Sequence, residues 1–311
     1  MMADQAADDG IFFIYMGGRV PEHLKQHITH AIIDKSVRSI DDFAFFECPH
    51  LLHVEFHKGV RRVGKEAFAH CPSLRHLRMP GVSIIEDAAF FDCRSLIDVE
   101  FGDKLEIIRF AAFSQCTSLR QLRIPSIKDI GVAAFFCCEQ LTDVEFGKKL
   151  ERVGQRAFRR CFNLRRIAIP LKQYMLDCDV FNYCENLVKV DFIGNIHRIT
   201  SYLSMQSWRN HIEEQMKWIN RFLPTIPSNM KTMALQQWMG SIHQKLEFYK
   251  TKHFKLLKEA STEIELALWK TRLEKESVQA WNKIQRAECR FVCKSDIVIP
   301  NVMKFLIFPA E

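Results

Sequence analysis

Glycine and proline are scarce, 12 and 10 residues in 311, which excludes a collagen-like or low-complexity chain. Cysteine, at 11 residues, is too sparse for a disulfide-stapled secreted module. No run approaches the roughly 20 apolar residues of a membrane span. The apolar stretch Ile11 to Met16 is short and ends at Gly17 and Gly18, and the opening MMADQAADDG is acidic, whereas a secretory signal starts basic. There is no Asn-x-Ser/Thr acceptor for N-glycans. Phosphate-binding loops, the dinucleotide fingerprint, H-E-x-x-H and G-x-S-x-G are all missing as well. These absences lead to the expectation of a cytoplasmic or nuclear protein that has no membrane segment, is not an enzyme and uses no cofactor. What the chain does have is 48% hydrophobic residues and a net charge of +7, enough apolar material for a real core.

An internal repeat dominates. Ala44-Phe45-Phe46-Glu47-Cys48 recurs as Ala67-Phe68-Ala69-His70-Cys71, Ala89-Phe90-Phe91-Asp92-Cys93 and Ala112-Phe113-Ser114-Gln115-Cys116. It continues as Ala134-Phe135-Phe136-Cys137-Cys138 and Ala157-Phe158-Arg159-Arg160-Cys161, then degenerates to Val180-Phe181-Asn182-Tyr183-Cys184. The seven cysteines step by 22 or 23 residues, and each is followed three residues later by leucine, from Leu51 to Leu187. Next comes Val54, Leu77, Val99, Leu122, Val144, Ile167 or Val190, and two further on Phe56, Met79, Phe101, Ile124, Phe146, Ile169 or Phe192. The unit is C-x-x-L-x-x-V-x-F, whose final alternation predicts a half-buried strand. Units also alternate, with even ones ending in Pro80, Pro125 and Pro170. One 23-residue unit cannot bury its own apolar face, so stacking must do it.

The pattern resembles the BspA-like class of leucine-rich repeats over about residues 30–195. That resemblance implies an α/β repeat: a curved leucine-rich-repeat solenoid with a parallel strand ladder on its concave face, followed here by an α-helical C-terminal region. The expected division is an N-terminal cap over 1–40, about seven repeats over 41–195, and helices over 196–311. Many members of the class are cell-surface adhesins, a role that requires export.

The ladder Cys48, Cys71, Cys93, Cys116, Cys138, Cys161 and Cys184 is expected to be structural. Free cysteine packs as a small buried hydrophobe, and one thiol per coil makes a line, not the tetrahedron zinc needs. No metal site is expected there. His23, His27 and His30 at i, i+4 and i+7 could share a helical face, although Ala31-Ile32-Ile33 favours a strand at His30.

The residues flanking the strand valine should face outward. One row reads His53, His76, Asp98, Gln121, Asp143, Arg166, Lys189; the other reads Glu55, Arg78, Glu100, Arg123, Glu145, Ala168, Asp191. The second alternates in sign, which favours stacking and disfavours nucleic acid, which wants a single-sign basic stripe. Arg78, Asp98, Glu100, Arg123, Asp143 and Glu145 are therefore the expected contacts for a protein partner.

After residue 200 the pattern becomes helical. Met205, Trp208, Ile212, Met216, Ile219 and Leu223 form one stripe, which Pro224 and Pro227 end. Ile242, Leu246, Tyr249, His253, Leu256 and Ala260 are spaced as a coiled-coil seam, which suggests self-association. Leu266, Trp269, Leu273, Ala280 and Ile284 make a third stripe. Thr262 with Glu265 reads as a capping box starting a separate helix; a single helix over 228–288 is the alternative. The order of Trp-Arg-Asn, Gln-Trp-Met and Ala-Leu-Trp-Lys here resembles the tails of intracellular leucine-rich repeat proteins of diatom-like algae. Residues 201–311 hold 17 of the 44 basic and 11 of the 37 acidic residues, leaving nucleic-acid binding by these helices as an alternative function. The Cys289 and Cys293 pair and the apolar segment 297–308 are read as packing.

Overall fold

The computed structural model describes residues 10–193 and 206–280. Met205, Trp208, Leu273, Ala280, Ile284, the Cys289 and Cys293 pair and segment 297–308 lie outside the residues whose side chains it describes. The described chain forms two compact units: the repeats together with Asn210–His243, and a second to which the helix from Gln244 onward belongs.

Each C-x-x-L-x-x-V-x-F segment delivers one strand: β4 (His53–Glu55), β6 (His76–Met79), β8 (Asp98–Phe101), β10 (Gln121–Ile124), β12 (Asp143–Phe146), β14 (Arg166–Pro170) and β15 (Lys189–Ile193). They pair in parallel with equivalent residues opposite each other, as Val54 with Leu77 and Val144 with Ile167. The strand valines and the leucines after each cysteine are buried.

The ladder is longer than the seven strands expected, and it is interrupted. The cap adds β1 (Ile11–Tyr15) and β2 (Ile28–Ile33), joined through the short helix α1 (Glu22–Lys25). The order is β1-β2-β4-β6-β8 in one sheet and β10-β12-β14-β15 in another. His30 lies in β2, so the helical face through His23, His27 and His30 does not form. Tyr15 ties the cap down: its hydroxyl donates to Gly18 O (3.1 Å), accepts from Asp41 N–H (3.0 Å) and lies 3.2 Å from Asp41 Oδ2. Burial pushes its pKa up to about 12.

A second ladder of two-residue strands runs along the stack: β3 (Ser39–Ile40), β5 (Arg62–Val63), β7 (Ile84–Ile85), β9 (Ile107–Ile108), β11 (Asp129–Ile130) and β13 (Arg152–Val153). Between it and the main ladder lies the Ala-Phe turn. There Phe45, Phe68, Phe90, Phe113, Phe135, Phe158 and Phe181 stack ring on ring, with centroids 4.8–6.0 Å apart. From Phe45 to Phe135 each phenylalanine N–H donates to the alanine carbonyl of the next coil, as Phe45 to Ala67 (2.7 Å) and Phe113 to Ala134 (2.7 Å), and Phe158 N–H donates to Val180 O (3.0 Å). A larger residue at the alanine position would push that turn outward. Each turn also holds two non-glycine residues at positive φ, such as Ala133 (55°) and Cys137 (58°).

The thiols belong to the same turn. Cys71, Cys93, Cys116, Cys138, Cys161 and Cys184 each donate to the carbonyl of the preceding coil's phenylalanine at 3.0–3.2 Å. The repeat cysteine is thus a small buried donor, tying coil to coil.

After the repeats come α2 (Gln206–Phe222), a single 3-10 turn (Leu223–Thr225) and α3 (Lys231–Ala280). The separate helix start expected at Thr262 is not observed. Its hydroxyl donates back to Lys258 O (2.9 Å) inside a continuous helix, because no proline interrupts the run. Of the proposed seam, Ile242 and Leu246 are buried within the chain and Leu256 is exposed.

Candidate interaction face

The outward rows follow directly from the strand alternation. In β4 through β10 the residues flanking the buried valine are exposed, and in β12 and β14 the same rows are largely half-buried. Cross-strand register sets Arg78 opposite Glu100 and Arg123 opposite Glu145. Arg78 Nε lies 3.1 Å from Glu100, and Arg123 Nε 4.0 Å from Glu145. Asp143 and Asp191 both engage Arg166, at 2.9 and 2.5 Å. The break between β8 and β10 falls between Glu100 and Arg123. Such exposed pairs contribute about 0–1 kcal/mol each. They hold side chains in order more than they hold the fold together.

The structure extends this face where sequence reasoning stopped. Register carries the first row from His76 and His53 onto His30 and Phe12, and the second from Glu55 onto Ile32 and Ile14. Phe12 stacks on His30 at 4.8 Å. Phe12 and Ile14 are 64% and 61% exposed, forming an apolar end on an otherwise charged face. In the sequence this end is only the apolar run IFFIY at 11–15, which lacks the apolar–polar alternation of the repeat strands.

The far end of the solenoid is closed by side chains from α2 and α3, four of them hydrogen-bonded to its backbone. Asn220 acts as a further strand: its Oδ1 accepts from Val190 N–H (2.8 Å) and its Nδ2 donates to Val190 O (3.2 Å). Thr232 Oγ1 accepts from Phe181 N–H at 2.8 Å, taking the place of the next coil's alanine carbonyl. Lys231 Nζ donates to the carbonyls of Cys184, Glu185 and Leu187 at 2.8–3.0 Å. Desolvation lowers the Lys231 pKa, while three carbonyl dipoles compensate the buried charge. Gln236 Nε2 donates to Leu176 O and Asp177 O at the end of the short-strand ladder (2.8 and 3.1 Å). Trp238 stacks on Phe192 at 5.0 Å.

Among the described residues no group of three or more His, Cys, Asp or Glu is placed to hold a metal ion. Among them, too, no helix is long and apolar enough to cross a membrane. On α3 the lysine run is partly paired, Lys250 with Glu247 (2.7 Å) and Lys255 with Glu259 (3.9 Å).

The BspA type leucine rich repeat region model matches six copies over residues 23–126 and 83–207, more than half of the chain. A leucine-rich repeat protein from T. pallidum is similar in structure, with 26% identity, 64% of this chain and 90% of that chain covered, and a TM-score of 0.50. A Bacteroides ovatus leucine-rich repeat protein follows at 20% identity, 54% of each chain and a TM-score of 0.34. The pneumococcal vaccine antigen PcpA matches at 17% identity, over 59% of this chain and 66% of that one, with a TM-score of 0.36. No curated protein matches the sequence. Repeat, register and family model agree, and the chain belongs to the BspA-type leucine-rich repeat family.

Proposed function

We propose that the chain is a non-enzymatic adaptor that holds a partner protein on the outward face of its main ladder, in the cytoplasm or nucleus. The observation that carries this reading is an outward face, spanning both sheets of the main ladder, that has an exposed apolar end, Phe12 with Ile14 and Ile32, and ordered charged rows through Arg78, Asp98, Glu100, Arg123, Asp143 and Glu145. Exposed aromatic anchors bordered by charges are what protein interfaces use, the first for affinity and the second for specificity and approach. An extended solenoid surface suits a macromolecular partner better than a small substrate, which needs an enclosed pocket. The row through Glu55, Arg78, Glu100, Arg123 and Glu145 alternates in sign, which argues against nucleic acid on this face.

Affinity purification of the tagged chain from its own cells, read by mass spectrometry, tests this. A reproducible protein lost from the Phe12→Glu variant, and reduced with Glu100→Lys plus Glu145→Lys, is the expected result. Recovery of the same proteins with all variants removes the proposal. The substituted side chains are exposed, so the melting temperature should stay within a few degrees of wild type.

A further inference from the structure

The Ala-Phe turns present a second surface, separate from the ladder face. Between the coils carrying Glu66 and Arg160 runs a trough of about 710 Å³. Its floor is small, with Ala88, Ala111, Ser114 and Ala133; Phe91, Phe110 and Phe136 stand around it. Phe91 and Phe136 occupy the same turn position two coils apart, roughly 10 Å at strand spacing, with Ser114 between them. Phe110 is 54% exposed. The three rings and the Ser114 floor make a socket for one bulky apolar side chain.

The coil beside Phe136 ends the trough with Arg156, Arg159 and Arg160. Several arginines on neighbouring coils are answered by carboxylates: Arg62 by Asp42 and Glu86, Arg109 by Glu86, Arg152 by Asp177. Among the described residues none of these three has such a partner. Arg159 lies over the Tyr183 ring at 5.2 Å, and its buried Nε has no hydrogen-bond acceptor. At the other end the acid is already answered: Glu66 lies 3.6 Å from Lys65, and Asp92 is held by Arg94 (2.7 Å) beside His70 (3.2 Å). The trough is therefore polarised along its length.

We propose that this trough binds an extended acidic peptide segment of a protein, with a bulky apolar residue in the Phe91–Phe110–Phe136 socket and two or more carboxylates on Arg156, Arg159 and Arg160. The socket-to-arginine distance is on the order of 10 Å, which an extended chain covers in about three residues. The motif it recognises is an aromatic or large aliphatic residue followed, three positions on, by acidic residues. Guanidinium groups bind carboxylates in paired hydrogen bonds, and the apolar anchor fixes register.

The test uses the full chain and an acetylated, fluorescein-labelled Phe-Gly-Gly-Glu-Glu-Glu peptide, titrated by anisotropy at low salt. Saturable binding is expected, weakened at least tenfold when the peptide's phenylalanine is glycine. It is also weakened at least tenfold in the protein with Arg156→Glu and Arg160→Glu; the milder Arg156→Gln and Arg160→Gln pair shows the same direction. Glu100→Lys with Glu145→Lys leaves it within twofold, which separates this site from the ladder face. Absence of saturable binding overturns the proposal. So does equal affinity for the phenylalanine-free peptide or for a thymidine hexanucleotide, since either result reduces the trough to a general anion patch.

Discussion

Six of the repeat thiols do two things at once: they fill a small buried volume, and they donate a hydrogen bond across to the preceding coil. Burial disfavours the thiolate, raising the Cys48 pKa to about 12 and those of Cys71, Cys93, Cys116 and Cys161 well above their ordinary value. A folded-state pKa raised above the unfolded one means that the folded state keeps protons the unfolded state has lost. The stability is fully present below about pH 9 and falls as pH rises toward 12 and beyond, by up to about 1.4 kcal/mol per pH unit for each thiol. The urea midpoint should therefore drop steeply between pH 9 and 10.5, and less steeply in Cys93→Ala with Cys116→Ala; a flat profile contradicts the assignment. Native alkylation at neutral pH should modify exposed Cys178 and spare these thiols. Gly147 makes a different point. A Cβ there would stand 1.7 Å from Pro125 O, on the preceding coil, so the proline-ended unit and the following glycine form one close approach. Gly147→Ala should cost about 1–3 kcal/mol in urea melts, whereas Ala133→Gly, at positive φ, should be neutral or stabilising.

At the level of elements, the helices matter because they finish the ladders. Without Lys231, three carbonyls at the last coil lose their donor. Lys231→Ala should destabilise by about 3 kcal/mol, and hydrogen exchange should speed up over β14 and β15 first. Thr232→Val, which leaves the Phe181 N–H unpaired, should cost about 1–3 kcal/mol. Equal exchange rates in wild type and Lys231→Ala would show the cap to be incidental. The main strands were legible in the sequence because V-x-F has a period of two and returns every 22 or 23 residues. The second ladder was equally periodic, through Ile40, Val63, Ile85, Ile108, Ile130 and Val153. Two-residue strands carry no alternation of their own, so that regularity suggested no element. The capping-box reading at Thr262 failed because the motif needs a chain entering from outside a helix. Here the run before it is already helical, and the hydroxyl turns back on Lys258. The cap was illegible for another reason: Asn220, Thr232 and Gln236 are ordinary polar residues in sequence, and only the fold places them at unpaired backbone groups.

For the molecule as a whole, stacking one unit repeatedly creates long rows, and rows create faces. The ladder face was readable as charge rows; its apolar end at Phe12 and Ile14 was not, because the cap strands depart from the repeat's residue types. The turn face escaped because its trough depends on alternating large and small residues, Phe91, Ser114 and Phe136, and only the turn geometry exposes them side by side. The central claim is that a protein partner lies on the ladder face. The most direct measurement places a photo-crosslinking amino acid at Gln121, exposed on β10, and in a parallel variant at exposed Lys104 off that face. Irradiation in the native cells should join a discrete partner to the chain from position 121 and not from 104. Equal adducts from both positions, or none from either, would contradict the account.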